Sequence, residues 1–147
     1  MKPVLTLLIT CALLLPGGVA AQQDASADYD AISRVPLRSS AASMPIQFKI
    51  LVDAANLGGD ETRIAQLTFP AGYSGQAHLH DAIEIFYVLS GRFGHEVNGV
   101  PAFLEPGQVG IVRPGDTVAH SVRGSEPAVV LTIWLPGGAA APFHAAD

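Results

Sequence analysis

Residues 72 to 91 read GYSGQAHLHDAIEIFYVLSG, and two histidines and a glutamate in that stretch decide what kind of fold the chain needs. His78 and His80 stand two apart, so on a strand both imidazoles leave the same face, because side chains alternate with period two. Glu84 follows after a short turn and opens the run Ile85-Phe86-Tyr87-Val88-Leu89, whose unbroken apolar character predicts a mostly buried strand. A carboxylate at the head of a buried strand requires a partner. A divalent metal would satisfy both imidazoles and the carboxylate at once, and would account for polar groups where core residues are expected. The rest of the chain would then have to supply a further ligand and a container.

Working outward, the container is a train of short strands punctuated by Gly, Pro and Asn. Ile46 to Val52 and Arg63 to Phe69 alternate, with Asn56-Leu57-Gly58-Gly59-Asp60 read as a turn between them. Beyond Gly91, Arg92 to Val97 meets Asn98-Gly99, a strong two-residue hairpin signal, and Val100 to Leu104 returns. Pro106-Gly107 and Pro114-Gly115 turn the chain around Gln108 to Val112, and Ala119 to Arg123 and Ala128 to Leu135 complete the set. Eight to ten strands at regular spacing, with no helical period of useful length, predict an all-β sandwich, barrel or jelly roll.

The 147 residues suit one domain. Residues 1–21 have a basic start at Lys2, an apolar stretch from Val4 to Leu15 and small residues up to Ala21, which is the plan of a secretory signal peptide. Cleavage there would send the mature chain to the periplasm or outside the cell and leave it off the membrane. Cys11, the only cysteine, lies inside that stretch, so the mature chain would have no thiol chemistry and no disulfide. Residues 22–44 read as a linker or arm in which Ile32, Val35 and Leu37 could form a short strand, 45–136 as the domain, and 137–147 as a frayed tail containing His144. The formal charge of −5 and eight scattered Lys and Arg argue against a nucleic-acid surface and for a small-molecule partner.

Gly72, His78, His80, Glu84 and Gly91 have the spacing of the first signature motif of the cupin superfamily, which the chain resembles from about Ile46 to Pro136. The second motif, Gly107 to His120, is only similar. Pro114 is followed directly by Gly115, the gap to His120 is longer than the pattern, and Gly124 stands where an Asn is expected. The resemblance implies a small single-domain cupin: a jelly-roll β-barrel (double-stranded β-helix) with one divalent metal on His78, His80, Glu84 and His120, commonly assembled as a homodimer. Such a donor set suits Fe(II) or Mn(II), with Zn, Ni, Cu and Co as other occupants used by cupins, and leaves two positions open.

Dioxygenase chemistry on a small organic substrate that chelates through two oxygens is the first expectation, with Glu84 loosening to act as a base. Isomerase, lyase or decarboxylase chemistry is also compatible with the resemblance. A non-catalytic module that binds a small molecule or the metal itself is the alternative. His95 alternates with Phe93 and Val97, which places it inside the barrel as a pocket wall, an outer donor or a general base; the plainer reading is a hydrogen-bonded core histidine. Phe86, Val88, Ile111 and Trp134 are candidates for an apolar lining. Arg63, Arg113 and Asp116 are candidates for the mouth, where turn formation or surface pairing is the simpler role.

Overall fold

In a computed structural model the described residues are Arg38, Ser39 and 45–139. The leader, Cys11, Ile32, Val35, Leu37, most of the arm and His144 lie outside them. Ten strands and one short helix follow in order: β1 (Arg38–Ser39), β2 (Gln47–Val52), α1 (Ala54–Leu57), β3 (Arg63–Phe69), β4 (His78–Leu79), β5 (Ile83–Ser90), β6 (Phe93–Val97), β7 (Val100–Leu104), β8 (Val109–Val112), β9 (Thr117–Val122) and β10 (Ala128–Leu135). All pairings are antiparallel, in a six-stranded sheet β1-β2-β3-β10-β5-β8 and a four-stranded sheet β4-β9-β6-β7. The two sheets face each other over a single core built from alternate residues of every long strand, among them Leu67, Phe69, Phe86, Val88, Phe93 and Val130.

The Asn98-Gly99 hairpin forms as expected, with φ of 53° and 76° at its two central residues, the backbone that a tight β6–β7 turn demands. Gly91 is needed for two reasons. Its φ is +77°, and a Cβ there would stand 2.4 Å from the Pro127 carbonyl oxygen.

Four expectations need correction. The apolar run after Glu84 is buried on one face only: Phe86 and Val88 are sealed, whereas Tyr87 and Leu89 are 40% and 44% exposed. Ile111 does not line the interior. Register sets Val112 opposite Glu84 and Gly110 opposite Phe86, so Ile111 points outward and is 50% exposed. The segment after Asp53 is not a plain turn. Asp53 accepts from the Ala55 N–H and Asn56 Oδ1 accepts from the Asp53 N–H, and this reciprocal cap holds one helical turn closed by Gly58 in the left-handed region. Finally, the chain does not fray at residue 137: Gly137 is buried and its N–H donates to the Asp60 carbonyl at 2.9 Å.

Candidate metal centre

The stretch 72–91 belongs to both sheets, and that crossing builds the site. Its first half runs beside β9, through the Ser74–Ser121 bridge and the pairing of His78 with Val118. After Asp81-Ala82 the second half enters the six-stranded sheet as β5. His78 and His80 are therefore carried by one sheet and Glu84 by the other. His78 shares the inward face of its directly opposed partner Val118, which is fully buried. Two backbone bonds, His80 N–H to the Asp116 carbonyl and Gly115 N–H to the His80 carbonyl, pin the end of this segment to the β8–β9 loop. Asp116 in turn accepts from the Arg113 N–H and the Asn98 side chain, so it is a turn-forming residue, and Arg113 is exposed beside it.

Three donor atoms meet at His80. Its Nε2 stands 3.1 Å from His78 Nε2 and 3.1 Å from Glu84 Oε2. His78 Nδ1 lies 3.1 Å from the Gln76 carbonyl; with the proton on Nδ1 donated there, the Nε2 lone pair faces His80. Glu84 is only 4% exposed, and burial raises its carboxyl to about 8, against a smaller opposing effect of a hydrogen bond from the Trp134 side chain. Burial, reinforced by neighbouring His78, lowers the pKa of His80. The His80–Glu84 contact at neutral pH is thus a hydrogen bond between neutral groups rather than an ion pair. One proton cannot serve both contacts of His80 Nε2, and a cation between the three atoms would remove the conflict.

His120 sits on β9, two residues along the same face from Val118, and is 8% exposed. Its ring packs 4.5 Å from Phe86 and 4.9 Å from Phe93, and 6.3 Å from His78, between ring centroids. Desolvation, with neighbouring His95 next, holds it down to about 3, so it is neutral at any physiological pH. Neither of its nitrogens has a hydrogen-bond partner among the described residues; the Gly94 backbone nearby favours the charged form without meeting bonding geometry. His95 lies directly opposite on β6 and stacks on His120 at 5.4 Å and 19°. It is buried as expected; neither of its nitrogens meets hydrogen-bonding geometry with a partner among the described residues, although the Ile111 backbone beside it favours the charged form. Its Nε2 edge rests against Gly110, where a Cβ would come within 2.9 Å.

The donor types suit a divalent metal, and the two contacts of His80 have the spacing of neighbouring ligands on one ion. Adjacent ligand atoms of an octahedral ion with bonds of about 2.1 Å lie about 3.0 Å apart. Both contacts of His80 match that edge. The match stops at those two contacts: among the described residues no group of three or more His, Cys, Asp or Glu side chains is placed to hold a metal ion. Trp134, expected as apolar lining, stands opposite Glu84 across β10 and β5. Sequence left two further participants unnamed: Thr132 is fully buried one step further in, its hydroxyl without a partner among the described residues, and Gly110 makes room for His95. Only strand register brings them here, and no local motif carries it.

Two antiparallel sheets with this two-part donor stretch define a cupin, and the cupin domain profile matches residues 65–134. Residues 65–134 are a cupin domain by that match. Among solved structures it is similar to KdgF from a Halomonas species, with 21% identity over 67% of this chain and 84% of that one at a TM-score of 0.58. It is also similar to an RmlC-like cupin from Shewanella frigidimarina, with 19% identity over 72% and 89% at 0.60. A predicted oxalate decarboxylase from Thermotoga maritima gives 22% over 62% and 80% at 0.57. At these identities the likeness is one of fold. No curated protein matches the sequence.

Proposed function

We propose that the chain binds one divalent ion through His78, His80, Glu84 and His120, and presents it with a small organic ligand that chelates through two oxygens. The observation that carries this is the convergence of His78 Nε2 and Glu84 Oε2 on His80 Nε2, at 3.1 Å each, beside a buried and neutral His120. Fe(II) or Mn(II) is the favoured occupant for three imidazoles and one carboxylate, and when bound it would supply Lewis acidity and electrons for dioxygenase chemistry. The protein's part is to keep His80 and His120 neutral, to shield the inner side of the site with Phe86 and Phe93, and to give up the Glu84 proton as the ion binds, leaving a carboxylate that can loosen to act as a base. A non-catalytic binding module is the second reading. It is favoured by the contact of His95 Nε2 with β8 at Gly110, which leaves Glu84 as the acid–base group touching the donor set. Residues 1–21 support export to the periplasm or beyond.

Metal content of untagged protein is the test. Close to one ion per chain is expected, falling below a tenth in the His78→Ala, His80→Ala double variant. A parent without metal after incubation with Fe(II), Mn(II) and Zn(II) would end the proposal. With metal present, oxygen uptake on catechols, flavonols and diketones separates the enzyme from the binding module.

A second copy of the chain is the proposed partner for the outer face of the six-stranded sheet. Ile83, Tyr87, Leu89, Val109, Ile111 and Leu135 are exposed there on β5, β8 and β10, and these six leave roughly 500 Å² of mostly apolar surface in water. That is most of what each side of a stable dimer covers. The patch carries no charge, so a two-fold axis can set like against like without penalty. Ile111→Glu is expected to shift sedimentation from dimer to monomer at micromolar concentration.

A further inference from the structure

We propose that Trp134 is the residue that positions the Glu84 carboxylate for its ligand, through its indole N–H, and that as the chain's sole tryptophan it reports directly on the occupancy of the site. This rests on the metal-binding reading above. The geometry comes from the sheet. β10 pairs antiparallel with β5 so that Trp134 is directly opposite Glu84, and residues directly opposed across an antiparallel pair project from the same face. Both side chains are therefore aimed inward, and both are nearly sealed, with Trp134 3% and Glu84 4% exposed. An indole can donate but cannot accept, and the Trp134 side chain hydrogen-bonds to Glu84.

That bond does something that burial alone would not. Glu84 sits at the head of β5, with its Oε2 on His80. A carboxylate held only from that side could still rotate about its last torsion, because torsions of that kind are broad. A second, fixed donor restricts the rotation and partly neutralises the anion without competing for a metal. Outer donors of this kind set the orientation of a ligating group, and their loss weakens metal binding about 10- to 100-fold. Trp134 is itself anchored. It pairs with Arg63 on β3, and its carbonyl accepts from the Thr62 hydroxyl at 3.0 Å, so its ring is carried by the middle of the six-stranded sheet rather than by a loop.

The test uses the single indole resonance. In a ¹H–¹⁵N spectrum of the metal-free protein, the Trp134 N–H is expected downfield and slow to exchange, and Glu84→Gln is expected to move it upfield. Adding Zn(II) should shift the same resonance in the parent protein, and Trp134→Phe should bind Zn(II) at least tenfold more weakly by calorimetry, with His80→Ala as the control that loses binding altogether. If the parent binds Zn(II) but the indole resonance ignores both Zn(II) and Glu84→Gln, the positioning role is overturned while the metal site stands. If Trp134→Phe folds and binds like the parent, the conclusion is the same. If Trp134→Phe fails to fold, the resonance experiment on the parent and Glu84→Gln decides alone. A parent that binds no Zn(II), Fe(II) or Mn(II) overturns both the metal reading and this one.

Discussion

Glu84→Gln is expected to stabilise the metal-free protein at pH 9 by on the order of 5 kcal/mol, and to leave it little changed at pH 4. The carboxyl is raised from 4.5 to about 8 by burial, so the folded state holds a proton that the unfolded state releases. Its contribution is fully present below about pH 4.5 and is lost as pH rises through 8. Gln is permanently neutral and escapes that loss. His120 acts in the opposite sense in both proteins. Its folded value is depressed from 6.5 to about 3, so stability is present above 6.5 and is lost as pH falls through that window. The parent should therefore be flattest between about 4.5 and 6.5, and the difference between the two proteins isolates Glu84. Urea unfolding in the presence of a chelator, at half-unit steps of pH, measures it. A difference that stays flat from pH 5 to 9 would show that Glu84 is not buried as described. Saturating Zn(II) should reverse the order at pH 8, since an ion rewards the ionised carboxylate that burial penalises. A residue that costs stability without metal and contributes it with metal has the signature of a site kept for binding.

Phe86→Ala is expected to cost about 4 kcal/mol, whereas Tyr87→Ala costs about 1 kcal/mol when measured below the concentration at which chains associate. The two aromatics are neighbours in sequence and differ only in phase. Phe86 is fully buried, with ring centroids 4.5 Å from His120, 5.6 Å from His95 and 5.4 Å from Phe93. Removing it opens a void directly behind two imidazoles and deprives His120 of a wall, so metal affinity should fall along with stability. Equilibrium unfolding of both variants checks the contrast, and equal losses would contradict the inward placement of Phe86.

The run Ile85 to Leu89 shows where sequence stops being informative. Its unbroken apolar character reads as burial on both faces, yet half of it faces out, because hydrophobicity is a property of the side chain and not of the side on which something will cover it. Ile111 was misplaced for a related reason. Its strand is four residues long, too short for its own pattern to set a phase, and the phase came from pairing Val112 with Glu84. Asp53 and Gly137 belong to the same class, being held by partners whose approach depends on the folded chain.

By itself the sequence determined the strand train, the Asn98-Gly99 hairpin and the cupin donor stretch, because these rest on local quantities: side-chain alternation, turn chemistry, and fixed spacing along one segment. Tertiary structure alone decided what surrounds those donors. Trp134 reaches Glu84 across 50 residues of chain by register within the six-stranded sheet, His95 meets His120 across 25 by register within the four-stranded one, and Phe86 comes to lie against both imidazoles where the two sheets face each other. Register is a pairwise property of distant segments, fixed by which faces can be buried together, and no residue carries it alone.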